Sequence, residues 1–176
     1  MFRAVALVMV PLALIYWIFS NDIGDHPVEP VNQEVVLAEA AEEAPFQVMS
    51  PAGLPADLWV PNRASWVGKG EPDLNGEPMA GGQLDLGYVS PEDVYFGVRQ
   101  TDVDQGLTIR DLSREGQSQG TEDIDGETWE RWRSPDGRTG VLVTTTDDGS
   151  TLAVAADADF TQLSQFARLI EPWTAE

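Results

Sequence analysis

The stretch GVLVTTTDDGSTLAVAADADFTQLSQFARLI, residues 140–170, decides the fold. Two β-branched, apolar runs, residues 141–146 and 151–156, are separated by Asp147-Asp148-Gly149, a strong turn signal, so the first part reads as a β-hairpin. The second part changes period. Asp159 is placed as an N-cap with Gln162 three residues on as its capping-box partner, and Phe160, Leu163, Phe166, Ala167 and Ile170 recur at helical spacing up to Pro172, which is expected to stop the helix. A hairpin running into one amphipathic helix predicts an α+β domain: an antiparallel sheet meander with a C-terminal helix packed on one face.

Working upstream, residues 128–133 form another strand, joined to the hairpin through Pro135-Asp136-Gly137. Residues 115–121 read as a Gly/Gln/Ser loop, and residues 102–113 hold a short helix. Leu84, Leu86 and Tyr88, then Val94, Phe96 and Val98, alternate with polar residues on either side of Ser90-Pro91-Glu92-Asp93, a second antiparallel hairpin. Residues 69–82 form a loop by their Gly and Pro content. Phe46, Val48, Trp59-Val60 and Trp66-Val67 read as short strands broken by Pro51, Pro55 and Pro61. Residues 21–44 are expected to be an acidic, flexible spacer with a short helix over 34–43, followed by the domain over 45–176.

The first twenty residues have a different character. Arg3 is followed by sixteen uncharged, mostly apolar residues, Ala4 to Phe19, about 24 Å of helix. That is close to the lower limit for a bilayer span, with Tyr16 and Trp17 near the outer end. No Lys or Arg follows until Arg63, so the positive-inside rule puts the N-terminus in the cytoplasm and the rest outside. Residues 1–20 are therefore expected to be a single-pass transmembrane anchor; a cleaved signal peptide is the competing reading, and it also delivers the domain outside.

Composition narrows the chemistry. The 176 residues carry a net charge of −20, with 10 basic against 30 acidic side chains. Such a field repels nucleic acid and anionic headgroups and favours cationic partners. The chain has no Cys, which removes disulfides, thiolate catalysis and cysteine metal sites. Its one His, His26, lies beside Pro27 in the spacer, where nothing orients it for catalysis. No Gly-x-Ser-x-Gly and no phosphate-binding Gly loop is present. No catalytic, cofactor or metal residues are assigned. Asp102-Val103-Asp104 and Asp123-Ile124-Asp125 have part of a calcium-loop spacing but lack the full ligand series, and read as turn acids. The candidate binding feature is Trp129-Glu130-Arg131-Trp132-Arg133: on a strand, Trp129, Arg131 and Arg133 share one face, a basic-aromatic surface suited to a sugar or a protein partner.

The hairpin over residues 87–100, the segment Gly126-Glu127-Thr128-Trp129-Glu130, the strand-turn-strand from Gly140 to Ala156, the closing helix, the early segment from Phe46 to Trp59 and the N-terminal apolar run together resemble an actinobacterial membrane-anchored family, domain of unknown function 4245. The resemblance implies a single-pass membrane protein with an extracytoplasmic domain and carries over no catalytic residues. The strand order is also similar to that of the photosystem accessory protein PsbP, an analogy of fold alone. The expected function is thus a non-enzymatic cell-envelope binding or accessory module, in contact with the bilayer through its anchor and with an envelope protein or cell-wall glycan through its domain. The alternatives are a carboxylate- or metal-dependent envelope hydrolase and a low-affinity cation buffer.

Overall fold

A computed structural model describes residues 30–73 and 75–175. The expected anchor, residues 1–20, lies outside the described residues; among the described residues no helix is long and apolar enough to cross a membrane. The domain is α+β. Seven antiparallel strands form one sheet in the order β2-β3-β4-β8-β7-β6-β5: β2 (Val60–Val67), β3 (Gln83–Val89), β4 (Tyr95–Thr101), β8 (Thr151–Ala156), β7 (Gly140–Thr145), β6 (Glu127–Arg133) and β5 (Gln117–Ile124). A two-stranded sheet pairs β1 (Met49–Pro51) with β9 (Ile170–Pro172). Three helices complete the fold among the described residues: α1 (Glu34–Glu43), α2 (Gln105–Leu112) and α3 (Phe160–Ala167).

The expected single meander is two meanders, β2-β3-β4 and β5-β6-β7-β8, zipped together where β4 meets β8 in the register Val98↔Val154. Helix α2 carries the chain across the outer face from β4 to the far edge. Strand alternation then sorts the side chains. Leu84, Leu86, Phe96, Val98, Leu142, Leu152 and Val154 are buried on the inner face, where α3 adds Leu163 and Phe166 to the same core. On the outer face Val141, Val143 and Ala153 form a smaller cluster against Ile109 and Leu112 of α2.

Helix α3 begins as expected, with both hydrogen bonds of the Asp159/Gln162 capping box in place. It ends earlier than Pro172: Arg168 is its C-cap, and the chain re-extends because Ile170–Pro172 is recruited to pair with Met49–Pro51. The loop expected over 115–121 is instead the start of edge strand β5. Its exposed, polar residues carry no apolar signal, and the main-chain ladder to β6 needs none. Gly120, at φ +87°, lies in the register shift between Ser118 and Thr121, a bulge of the kind that blunts sheet edges. On the opposite edge, Pro61 sits within β2, at a second register shift, where a missing N–H is tolerated.

The helix expected over 34–43 is present, and it is packed. Leu37 and Ala40, one turn apart, are buried in the main core, and the Trp66 indole donates to Glu43 Oε2 at 2.8 Å. Two apolar residues at that spacing make a stripe too narrow to stand out in an acidic stretch.

Three turn aspartates are held below the usual carboxylate range. Asp73 accepts main-chain hydrogen bonds from Glu77 and Asn75, and Asp136 accepts from the Ser134 hydroxyl and the Arg138 main chain. Asp148 is pushed upward by burial, but hydrogen bonds from Thr146, Ser150 and Gln47 outweigh it. Because each folded value lies below the unfolded one, their contribution is fully present above the ordinary aspartate range of about 3.9 and is lost as pH falls through the folded values. Melting temperatures measured from pH 6 to pH 2 are expected to fall below about pH 4, and Asp148→Asn is expected to lower the plateau and flatten that fall; an unchanged profile in the variant would contradict the assignment.

Candidate groove on the outer face of the sheet

Helix α2 covers only half of the outer face. The other half, towards β2, is floored by Gly97 and Ala155, which are direct partners in the β4–β8 register. Small residues on neighbouring strands leave a depression, and the resulting groove has a volume of about 560 Å³. Leu112 and Arg114, at the end of α2, form one wall; Arg138, Thr139 and Asp157 form another. Tyr95 lies across the sheet: a Cβ on Gly87 would come within 2.5 Å of its phenol oxygen, and one on Gly97 within 3.3 Å of its ring. The glycine pair Gly87↔Gly97 is thus the bed for the ring, which remains 42% exposed. Burial of the lower face raises the Tyr95 phenol, partly offset by Arg63, so it is a neutral hydrogen-bonding group at physiological pH.

The charges are organised around one fixed arginine. Arg99 Nε donates to Asp85 Oδ1 at 2.7 Å and its Nη1 to Asp111 Oδ2 at 2.6 Å, with a side chain only 16% exposed. Burial opposes its charge, and the two aspartates more than restore it. Arg63 reaches the same Asp85 at 3.6 Å, and Arg138 reaches Asp157 at 3.6 Å, where Thr139 also donates at 2.6 Å. Arg63, Arg114 and Arg138 are exposed, so their pairs are weak and exchangeable. Four arginines and three aspartates line the groove, a local balance of +1 in a chain of −20. Guanidinium forks bind carboxylate or phosphate, aspartates accept from hydroxyls, and a flat exposed phenol ring offers an apolar face with a polar end. Of the three lining aspartates, Asp85 and Asp157 already face a guanidinium, and Asp93 sits at the β3–β4 turn, so the arrangement is an ion-pair lattice suited to binding. Among the described residues no group of three or more acids or histidines is placed to hold a metal ion.

The basic-aromatic face read from the sequence lies on the other side. Trp129 is buried in the main core. Arg131 and Arg133 stand over the Phe160 ring of α3 at 5.1 and 4.3 Å. Arg131 also donates to the Gln119 carbonyl at 2.9 Å, and Arg133 to the Ala158 carbonyl at 2.9 Å. The two guanidiniums therefore clasp the first turn of α3 to β6. Glu130 and Trp132 point to the opposite face, joined by an indole-to-carboxylate hydrogen bond of 3.1 Å. Asp104 caps α2 by accepting from Leu107 N, and Asp123 accepts from Gly126 N in the β5–β6 turn. The groove itself was missed from sequence, although a signal exists: Tyr95-x-Gly97-x-Arg99 opposite Asp85-x-Gly87 puts an aromatic, an ion pair and two strand glycines on one face, and glycine inside a strand marks a close approach.

The family model for DUF4245, described as protein of unknown function, matches residues 1–170, and the chain belongs to that family. Among curated proteins none matches it. A chain in the solved complex of Pseudomonas aeruginosa MucA/MucB is similar at 18% identity with a TM-score of 0.39, over 74% of this chain and 37% of that one. A likeness at that level transfers no function.

Proposed function

We propose that this DUF4245 protein is a non-enzymatic accessory module of the cell envelope, tethered by its N-terminal apolar segment with the α+β domain outside the cytoplasm, and that its outer-face groove binds a carboxylate-bearing glycan. The observation that carries the reading is the gathering of four arginines around an exposed tyrosine in a chain of net charge −20. Tyr95 offers a sugar ring a flat platform, Arg138 and Arg114 offer a carboxylate two exposed guanidiniums, and the Asp85–Arg99 pair supplies fixed acceptors and donors for hydroxyls. Isothermal titration of the full-length chain in non-ionic detergent with soluble N-acetylmuramic-acid-containing glycan is the test. Arg138→Ala is expected to weaken binding by about 1.5–3 kcal/mol, the range for a hydrogen bond to a charged group, and Tyr95→Ala is expected to weaken it as well by removing the platform. Equal affinity for an uncharged N-acetylglucosamine oligomer would sink the proposal.

The location has its own test, made simple by the lack of Cys. Gln119 is exposed on edge strand β5, so Gln119→Cys provides a single accessible thiol. A membrane-impermeant maleimide is expected to label that variant in intact cells. Labelling only after lysis would place the domain inside and contradict the orientation.

A further inference from the structure

A second cavity, on the inner face, has the opposite chemistry. It measures about 400 Å³ and lies between the end of the large sheet, the last turn of α3 and the β1–β9 pair. Its floor is apolar: Ile124, Trp129 and Leu152 are buried core residues, with Met49 and Ile170 as partly buried walls. Its mouth is acidic. Asp125 and Glu127 come from the β5–β6 turn, and Asp147 and Asp148 from the β7–β8 turn; antiparallel order puts both turns at the same end of the sheet. Against these four exposed carboxylates stands one guanidinium, Arg168, 3.5 Å from Asp125. Asp148 is a fixed charge, held by Gln47 N at 2.7 Å, the Thr146 hydroxyl at 2.6 Å and Ser150 N at 3.0 Å.

We infer that this cleft docks a basic peptide segment of a partner protein, with one apolar side chain seated against Trp129 and Ile124 and Lys or Arg on either side meeting the two acidic turns. Three observations support that occupant. An apolar-floored cavity of this size is stabilised by an apolar side chain that fills it. The excess of carboxylates at the mouth is complementary to cations and repels anionic lipid headgroups. The charges stand on two separate turns flanking the opening, which matches a chain carrying cations before and after its apolar residue. Among the described residues, strand β9, whose Ile170 and Pro172 line the cleft, pairs only with β1, so an extended segment can lie beside it. This site is distinct from the outer-face groove, and its test does not depend on glycan binding.

The experiment is fluorescence anisotropy of the full-length chain in non-ionic detergent with the labelled peptide amide KRLFKR, and with KRGGKR and EELFEE as controls. KRLFKR is expected to bind at least tenfold more tightly than either control. The double variant Glu127→Gln/Asp147→Asn is expected to weaken it about tenfold, with the melting temperature unchanged. Equal binding of KRGGKR would reduce the effect to general charge attraction, and displacement of the peptide by zwitterionic lysophosphatidylcholine, which does not attract the cationic peptide, would assign the cleft to a lipid; either result overturns the inference.

Discussion

Replacing Phe166 with alanine is expected to lower the unfolding free energy by about 3–5 kcal/mol, the cost of a large-to-small change at a fully packed aromatic. Phe166 is 2% exposed and is the inner member of a ring cluster. Its centroid lies 4.9 Å from Phe96, 5.4 Å from Trp59 and 5.9 Å from Tyr88. Those three partners come from β4, from the segment before β2, and from β3, so one side chain of α3 touches much of the inner face. The helix has only two turns and cannot persist alone; its burial against the sheet is what forms it. Urea unfolding of Phe166→Ala, compared with wild type, measures the effect directly. A loss under about 1 kcal/mol would show that α3 is not part of the cooperative core.

Gln100→Leu is expected to cost about 2–4 kcal/mol although it keeps the volume and adds apolar surface. Gln100 is completely buried in β4. Its Oε1 accepts from Met49 N at 2.8 Å, and its Nε2 donates to the Gln47 carbonyl at 2.8 Å and to Ser150 Oγ at 3.0 Å. One amide thus satisfies two main-chain groups of the incoming segment and ties them to the β7–β8 turn. Leucine leaves those groups desolvated without partners, and the penalty for an orphaned buried polar group exceeds the gain from an apolar one. The β1–β9 pair, which forms one wall of the inner-face cleft, should loosen first. Amide hydrogen exchange at Met49 is expected to accelerate ahead of global unfolding; unchanged protection there would contradict the clamp.

The parts of the fold that sequence reveals are those where one pattern suffices. The capping box at Asp159, the Asp147-Asp148-Gly149 turn and the alternation around Leu84–Tyr88 and Phe96–Val98 are local signals, and they correspond to local structure. What sequence left unread depends on contacts made at long range. Strand β5 forms because β6 offers it a ladder, and β9 because Met49–Pro51 waits beside it. Helix α1 is held by Leu37 and Ala40, a stripe whose significance is visible only once a core exists to receive it.

The functional surfaces follow the same logic. Trp129, Arg131 and Arg133 do share a face, as strand periodicity requires, and α3 packs on that face with Phe160 beneath the two guanidiniums. Which face of a strand a helix will cover is a tertiary fact. The groove residues Arg63, Asp85, Tyr95, Arg99 and Arg138 are scattered over more than seventy positions and converge only through the β2-β3-β4-β8-β7 order.

The outer-face groove, and not the inner-face cleft, is expected to receive the carboxylate-bearing glycan. The most direct measurement is nuclear magnetic resonance mapping of the isotopically labelled full-length chain in detergent as N-acetylmuramic-acid-containing glycan is added. The expected result is perturbation of the Gly87, Gly97, Leu112 and Ala155 amides and of the Tyr95 ring, with the Trp129 indole unmoved. No perturbation at millimolar glycan, or perturbation confined to Trp129 and Ile124, would contradict it.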